Sequence, residues 1–409
     1  MSGLYVHVPF CRRRCLYCDF YTIGERLADW PGFVSAVRAE AAHRIPSELP
    51  ERIDTLYIGG GTPSLIPSGE FLRLASGLTA VAGKPVEFTI EVNPDDVTSD
   101  KAAAWKMAGV NRVSMGVQSL VDSELKSIGR RHDSVVARRA YDTLRGFFDN
   151  ISLDIMFGLP GQSVESLLKS ADGIIDMAPE HVSAYSLMYE ERTALTRLRD
   201  AGRISEIPEE DSAGMFAVLS KRLAGAGYEQ YEISNYARAG YRSRHNSAYW
   251  KGAPYVGLGP GAHSYDGCRV RLANNPDYKK YVEYWCGRRE TGIGVSMPPV
   301  ETETLSDDEL REEMIMTRLR TREGLSLEEY ERRFGSDALR NLMQTATPWL
   351  RSGELRLTES KDPRLLETPE LGIAENKEPN LADNSETGPA LSLTSTGVMI
   401  SDEIILSLF

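Results

Sequence analysis

The sequence contains little of what would crosslink this chain, anchor it in a membrane or bind it to a charged polymer. Only 5 residues are cysteine, an odd number that gives no disulfide framework, so we expect a reducing, cytoplasmic compartment. Cys268 and Cys286 have no recognisable spacing and are interpreted as structural. No run of about 18 apolar residues predicts a membrane span, and Arg12–Arg14 stand where a secretory signal would be apolar. The net charge of −12 disfavours nucleic acid as a partner.

The length indicates more than one domain. We predict a first domain at 1–225, a segment rich in tyrosine and glycine at 226–300, and a C-terminal domain at 301–409. The composition of Pro298–Thr304, rich in Pro, Glu and Thr, predicts a linker before the last domain. Residues 359–389 are polar and have no periodicity, which predicts a disordered insertion.

The first domain alternates between strand-like and helix-like segments. The predicted strands are Leu4–Val8, Thr55–Ile58, Glu87–Val92, Arg112–Val117, Ile151–Phe157 and Val182–Leu187. The predicted helices between them include Phe33–His43, Glu70–Val81, Ser99–Ala108, Ser134–Phe147 and Val164–Met177. Such alternation predicts an α/β fold with a parallel sheet, which we interpret as a partial (β/α)6 barrel; a doubly wound sheet is the alternative.

The C-terminal domain is predicted to be α+β and winged-helix-like. Ser306 and Ser326 are each followed three residues later by glutamate, the spacing of a capping box at a helix start. A third helix is predicted at Asp337–Leu350. Two short strands and a closing helix follow, at Glu354–Leu357, Leu391–Thr394 and Asp402–Leu408.

Three cysteines are concentrated directly after the first predicted strand. Cys11, Cys15 and Cys18 are spaced C-x3-C-x2-C, and thiolates so close together repel each other unless a metal ion or cluster neutralises them. A [4Fe–4S] cluster held by three thiolates leaves one iron open for a small molecule. The alternatives are a zinc site completed by His7, or three unrelated buried cysteines.

The residues around this loop extend the pattern. Tyr17 directly precedes the third cysteine, Tyr5–Cys11 reads Y-x-H-x-P-F-C, and Gly59–Pro63 reads G-G-G-T-P. These motifs resemble those of the radical S-adenosylmethionine (SAM) superfamily, in the branch that holds the oxygen-independent coproporphyrinogen dehydrogenases and the heme chaperones of the HemW type. The dehydrogenases carry a further cysteine where this chain has Phe20, which favours the HemW type.

The resemblance implies a SAM site beside the cluster. In the family, three cysteines hold a [4Fe–4S] cluster whose open iron takes the amino and carboxylate groups of SAM. The positions that match the SAM-contact motifs are Tyr5, Tyr17, Gly60, Gly61, Thr62, Glu91, Gln118, Arg130 and Asp154. Most of them end or follow a predicted strand, and the C-terminal strand ends of a (β/α) barrel meet at one rim. Taken singly, each also fits a tight turn, an internal hydrogen bond or a solvated surface.

A second motif lies at 245–250. Its members are His245, Asn246, Tyr249 and Trp250, in the pattern H-N-x-x-Y-W. An imidazole beside flat aromatic rings suits an iron porphyrin, although the same residues also fit a packing cluster with a satisfied histidine. The resemblance implies heme binding here, because the complete motif is tied to heme in HemW-type proteins. His263 is the second candidate ligand.

The sequence thus predicts a heme chaperone that binds a [4Fe–4S] cluster, SAM and heme. The resemblance implies that it passes heme to acceptors such as respiratory cytochromes. One alternative is a radical SAM enzyme that oxidises the propionates of coproporphyrinogen to vinyl groups, and another is a zinc-stabilised binding module. We assign no catalytic residue, and both SAM cleavage and homodimerisation are left open.

Overall fold

The structure, a computed structural model, describes residues 1–49, 53–291, 300–358 and 388–409. The described chain forms two compact units. The first comprises Met1–Glu229, Ser234–Ala248 and Ala253–Thr304, and the second Gln230–Ile233, Tyr249–Gly252 and Leu305–Phe409. Residues 359–387 of the predicted insertion lie outside the described residues. The domain boundaries predicted at 225 and 300 stay a prediction.

The helices and strands follow each other in the predicted alternation. The strands are β1 (Gly3–Val8), β2 (Phe10–Cys11), β3 (Ile23–Gly24), β4 (Thr55–Gly60), β5 (Glu87–Val92), β6 (Arg112–Gln118), β7 (Ile151–Phe157), β8 (His181–Ser186), β9 (Glu229–Gln230), β10 (Asn235–Ala237), β11 (Tyr255–Leu258), β12 (His263–Tyr265), β13 (Val270–Asn274), β14 (Val300–Thr304), β15 (Leu325–Ser326), β16 (Leu355–Leu357) and β17 (Ala390–Leu393). The helices are α1 (Trp30–Glu48), α2 (Ser68–Ala82), α3 (Ser99–Met107), α4 (Asp122–Ser127), α5 (Ser134–Arg145), α6 (Val164–Met177), α7 (Ala194–Asp200), α8 (Glu209–Gly225), α9 (Arg244–Trp250), α10 (Tyr278–Thr291), α11 (Asp307–Leu319), α12 (Leu327–Phe334), α13 (Ser336–Ser352), α14 (Ser395–Met399) and α15 (Ser401–Ser407). Within the described ranges, no helix has both the length and the apolarity needed to cross a membrane.

The large sheet confirms the predicted partial barrel. Its order is β14-β13-β12-β11-β1-β4-β5-β6-β7-β8-β10-β9, and the six predicted strands are the adjacent parallel strands from β1 to β8. Strand β11 extends the parallel run beside β1. The linker predicted at Pro298–Thr304 is wrong for its described part: Val300–Thr304 is a strand paired with β13, because its β-branched Val and Thr residues alternate with glutamates, a pattern that suits an edge strand.

The barrel strands alternate between two environments. In β1, Leu4, Val6 and Val8 are fully buried and join the core packed under the helices, whereas Tyr5 and His7 lie at the alternate positions and face the other side of the sheet. Helices on the outside begin at side-chain caps, for example Ser163, which forms a capping box at the start of α6. The inner face of the barrel is thereby left to polar side chains.

The second unit has the predicted winged-helix-like elements. Ser306 forms a full capping box with Glu309, and the Ser326 side chain accepts a hydrogen bond from the Glu329 amide. Strand β17 pairs with both β16 and β15, so the predicted two-stranded hairpin gains a third, two-residue strand. An apolar cluster that includes Ile315, fully buried, lies between these helices and strands.

Candidate functional site

The cysteine loop follows the C-terminal end of β1. Cys11, Cys15 and Cys18 are free thiols of intermediate exposure. The loop is anchored at Leu16, whose amide donates to the carbonyl of Ile128 at 3.1 Å. The three thiols therefore lie on a short segment that is fixed to the rest of the barrel.

Polar side chains from two other segments of the barrel reach two of the thiols. The Thr62 hydroxyl donates to Cys11 Sγ at 3.3 Å, and the Arg130 guanidinium donates to Cys15 Sγ at 3.6 Å. Burial raises the pKa of Cys11 to about 11, and the charges of Cys18 and Cys15 add to the rise. Burial also raises the pKa of Cys18, so a cluster bound here must displace the protons of Cys11 and Cys18.

The donor set fits an iron–sulfur cluster better than a single zinc ion. Among the described residues, no three Cys, His, Asp or Glu side chains converge as ligands of one metal ion. A tetrahedral zinc site needs such convergence, with Zn–S distances of about 2.3 Å, whereas a cube takes each thiolate on a different iron. His7, the fourth ligand in the zinc alternative, is engaged elsewhere: Nδ1 lies 3.1 Å from the Tyr5 hydroxyl and Nε2 lies 2.9 Å from the Tyr21 carbonyl.

The first inward-facing carboxylate is Glu91. It accepts hydrogen bonds from the Tyr57 hydroxyl at 2.7 Å and from the Gly60 amide at 3.1 Å. Burial raises the pKa of Glu91 to about 7, with the charge of Asp154 adding to the effect. With such a pKa the Glu91 carboxyl changes its protonation near neutral pH. A cation or hydroxyl group placed beside it would favour the ionised form.

Asp154 is the second carboxylate on the inner face. The Ser114 hydroxyl donates to it at 3.2 Å, and Ser183 forms a further hydrogen bond. Burial raises the pKa of Asp154 to about 6, although both serines lower it. Asp154 stands in register with Gly116 of β6, so it lies beside the strand that carries Gln118.

The end of β6 is distorted around Gln118. Its φ is +69°, in the left-handed region, and the pairing with β7 shifts between Gly116 and Gln118. Arg130 donates to the carbonyl of Gly116 and, at 2.8 Å, to Asn93 Oδ1. The Gln118 Oε1 and Arg130 Nε atoms are buried and make no hydrogen bond within the described part of the chain. Unsatisfied buried atoms beside a strained residue are typical of a ligand-binding position.

The glycines after β4 are required by their neighbours. A Cβ at Gly60, where φ is +107°, would lie 2.6 Å from His7 Nδ1, and a Cβ at Gly61 would lie 2.8 Å from the carbonyl oxygens of Val8 and Phe10. The Gly61 amide donates to Val8 at 2.7 Å. The G-G-G-T-P run therefore packs directly on β1 and places Thr62 at the cysteine loop.

We expect Gly60→Ala to lower the free energy of unfolding by about 2–4 kcal/mol, because it combines positive-φ strain with a clash against a hydrogen-bonded ring. Urea denaturation would measure this. Gly83→Ala is the control: its φ is +76°, and a Cβ there meets nothing within 4 Å, so it carries the strain alone, about 1 kcal/mol. Equal effects of the two substitutions would contradict a steric role for the His7 contact.

The predicted heme ligand His245 lies away from the cysteine loop. It is 2% exposed, its ring stacks on Tyr57 at a centroid distance of 4.9 Å, and its Nδ1 is 2.8 Å from the Thr55 hydroxyl. The Glu87 carboxylate accepts from the His245 amide at 3.0 Å. Burial, together with the charge of Arg112, lowers the pKa of His245 to about 3. These contacts match the alternative interpretation, in which His245 is a core histidine whose ring is satisfied by its neighbours.

The rest of the motif follows on the same helix. Asn246 is partly exposed, and its amide donates to the Ser243 hydroxyl at 3.2 Å. Tyr249 and Trp250 belong to the second unit, whereas His245 belongs to the first. Trp250 Nε1 is buried and has no hydrogen-bond partner among the residues that the structure describes. The heme role of these residues stays a prediction.

The sequence reasoning missed several polar residues of the barrel interior. They are Tyr57, Arg112, Ser114 and Ser183, all on the parallel strands. Arg112 is 2% exposed and lowers the pKa of both His181 and His245. The available signal was the two-residue period within each strand: Arg112 and Ser114 lie two residues apart on one face of β6, as Tyr57 and Gly59 do on β4. Tyr17, predicted as a SAM contact, is partly buried beside Arg130 and Cys15, and its SAM role stays a prediction.

Comparison with known proteins agrees with this architecture. Residues 5–173 match the Radical SAM superfamily, and residues 305–361 match the HemN C-terminal domain. The chain is 36% identical over 342 residues to the heme chaperone HemW of Bacillus subtilis, covering 82% of this chain and 87% of the relative. It is 35% identical over 334 residues to the heme chaperone HemW of Mycobacterium tuberculosis, covering 80% and 83%.

A solved structure is similar over the full length. Coproporphyrinogen III oxidase (HemN) from Escherichia coli, a radical SAM enzyme, superposes with a TM-score of 0.78 and covers 100% of this chain and 89% of its own. The sequence identity is 19%, so this likeness shows a common fold.

Proposed function

Because this chain belongs to the HemW family of radical SAM proteins, we propose that it is a heme chaperone, which binds heme and delivers it to acceptor proteins such as respiratory cytochromes. The similarity to HemW proteins over four fifths of the chain is the observation that carries this proposal. Phe20, at the place of the dehydrogenases' further cysteine, supports it over the coproporphyrinogen dehydrogenase alternative.

Cys11, Cys15 and Cys18 would hold a [4Fe–4S] cluster. Bound there with SAM, the cluster supplies one-electron chemistry at the sulfonium. Thr62 and Arg130 would stabilise the thiolates, since their hydrogen bonds to Cys11 and Cys15 favour the deprotonated sulfur. The three free thiols and these two hydrogen-bond donors support the assignment of the cysteine loop as the cluster site.

The inner face of the barrel would position SAM. The unsatisfied Gln118 Oε1 and Arg130 Nε offer an acceptor and a donor for its polar groups, and Arg130 suits a carboxylate. Glu91 and Asp154 are acceptors for an ammonium group or for ribose hydroxyls. Gly60 and Gly61 let the backbone approach the ligand. Tyr5 on β1, Tyr17 within the cysteine loop and Thr62 complete the proposed SAM set.

The test uses the full chain, reconstituted anaerobically with iron and sulfide. One sample receives ferric heme, and another receives coproporphyrinogen, SAM and a reductant. We expect a stoichiometric heme complex and no protoporphyrinogen. Turnover of coproporphyrinogen, with release of 5′-deoxyadenosine, would overturn the chaperone proposal in favour of the enzyme.

SAM affinity should depend on pH through Glu91. The ionised carboxylate is the form that accepts from SAM, and its pKa is raised to about 7, so binding must release a proton below that pH. We expect the dissociation constant to rise by up to about tenfold per pH unit below 7. Equilibrium dialysis from pH 6 to 8 measures it. Glu91→Gln should flatten this dependence, whereas Glu283→Gln on the exposed face of α10 should not. An unchanged slope in Glu91→Gln would assign the proton to another group, such as Asp154.

A further inference from the structure

Asn93 directly follows β5 and is not among the predicted SAM contacts, yet its side chain lies between the two donors that reach the thiols. Its Oδ1 accepts from Arg130 Nη2 at 2.8 Å, and its Nδ2 donates to Thr62 Oγ1 at 3.5 Å. Thr62 donates in turn to Cys11, and Arg130 donates to Cys15. One amide group therefore connects the donors on both sides of the cysteine loop.

The direction of each hydrogen bond in this chain follows from its neighbour. A guanidinium can only donate, so the oxygen of the Asn93 amide must face Arg130 and its NH2 group must face Thr62. The Thr62 hydroxyl then accepts from Asn93, and its own hydrogen is left for Cys11. On the other side, Asn93 takes Nη2 of Arg130, and Nη1 is left for Cys15. The Asn93 side chain thus orients both sulfur donors.

The same contact fixes the part of Arg130 that a ligand can use. Its Nη2 is held by Asn93 and by the carbonyl of Gly116, and its Nη1 by a thiol. Its Nε is buried and makes no hydrogen bond to any residue that the structure describes. With the other two nitrogens held, Nε has a fixed place from which to donate to the carboxylate of a ligand.

Asn93 is itself held from the side that faces away from the thiols. Its backbone amide donates to the Ser64 hydroxyl at 3.1 Å, and Ser64 Oγ donates to Asp96 Oδ2 at 3.0 Å. Ser64 and Asp96 are both buried. The other oxygen of Asp96 lies 3.5 Å from Arg12 Nη1 and 3.7 Å from Arg131 Nη2. These arginines directly follow the first cysteine and the SAM-site arginine, so one buried carboxylate connects Asn93 to both segments.

We propose that Asn93 is a positioning residue of the cluster and SAM site. It directs the Thr62 hydroxyl towards one thiolate, and it directs the Arg130 guanidinium towards another thiolate and the carboxylate of SAM. An aspartate at this position would not do the same, because Thr62 would donate to the new carboxylate instead of the sulfur. This inference rests on the proposed cluster and SAM site and adds the residue that sets the hydrogen bonds there.

The test measures the reduction potential of the cluster and the dissociation constant of SAM in the reconstituted full-length chain. Asn93→Leu keeps the branched shape of the side chain and removes both of its hydrogen bonds. We expect a lower potential, because hydrogen bonds to the sulfurs stabilise the reduced cluster, and a dissociation constant at least about tenfold higher. Asn341→Leu, at an exposed asparagine of α13, is the matched control and should equal the wild type in both.

Two further variants separate positioning from folding. Asn93→Asp keeps the acceptor for Arg130, so SAM should bind within about threefold of the wild type, whereas the potential should fall as Thr62 turns to the carboxylate. In the Thr62→Val background, Asn93→Asp should lower the potential less, because the hydroxyl that it redirects is gone.

The outcomes distinguish this inference from the proposed function. If the wild type holds a cluster and binds SAM but Asn93→Leu keeps both the potential and the affinity, the positioning role is wrong and the proposed site stands. An equal fall in potential for Asn93→Asp with and without the Thr62 hydroxyl would also overturn it. If the wild type takes up no cluster, the proposed site fails, and this inference fails with it.

Discussion

Replacing Cys15 with alanine is expected to abolish the broad iron–sulfur absorbance of the reconstituted chain. A [4Fe–4S] cluster that is held by three protein thiolates loses one iron ligand when a cysteine is removed. The two remaining thiolates each bind another iron and cannot replace the missing one. Arg130 would also lose its sulfur partner. Cys11→Ala and Cys18→Ala should act in the same way. Iron and sulfide content per chain, measured after anaerobic reconstitution, checks the result.

The two cysteines outside the loop provide the controls. Cys268 is exposed, and Cys286 is partly buried with its thiol 3.6 Å from the Gly32 carbonyl. Alanine at either position should leave the iron content unchanged. A full cluster in any of the three loop variants would refute the assignment of the cysteine loop.

Arg44→Met should lower the free energy of unfolding by about 3–5 kcal/mol, because it leaves a buried carboxylate without its partner. Arg44 donates to Glu40 at 2.9 Å, to Glu48 at 2.7 and 2.8 Å and to the Ser264 hydroxyl at 2.8 Å. Glu40 is fully buried and also accepts from the Gly259 amide at 2.9 Å. The pair thus connects α1 to β11 and β12.

A surface pair serves as the comparison for Arg44. Arg340→Met removes an exposed i,i+3 pair with Asp337 at 2.7 Å, which is worth less than about 1 kcal/mol. Urea denaturation of both variants separates the two cases. In the double variant Glu40→Gln/Arg44→Met, part of the loss should be recovered, because no unpaired charge stays buried. A loss below about 1 kcal/mol for Arg44→Met would show that the network contributes little.

Local patterns predicted much of the architecture and part of the site. The six barrel strands could be predicted because short apolar, β-branched segments alternate with segments of helical spacing. Parallel strands are buried in the sheet and therefore read as largely apolar runs. Glu91 and Asp154 were named from the family motifs, and both lie buried with hydrogen-bond donors beside them, as a carboxylate inside an apolar run requires. Tyr57 and Ser114 were missed, since hydroxyl residues in strands are common and only the completed barrel turns them inward.

One wrong prediction came from a segment whose pairing partner is distant in the sequence. Val300–Thr304 has the composition of a linker, yet it pairs with β13 at the edge of the sheet. Edge strands tolerate polar residues, because one side of the strand faces solvent. The contact of the His245 ring with Thr55, 190 residues away, was likewise invisible in the sequence, and the heme role of His245 and Trp250 stays a prediction.

The sequence by itself determined the local chemistry: three thiols within eight residues, a glycine run after a strand and the order of the βα units. These features depend on neighbours in the chain, where spacing and propensity act directly. The tertiary structure alone decided which end of the barrel each group occupies. It placed the cysteine loop after the last residues of β1 and His245 beside Thr55, the first residue of β4, because the direction of the parallel strands fixes distances between residues that are far apart in sequence.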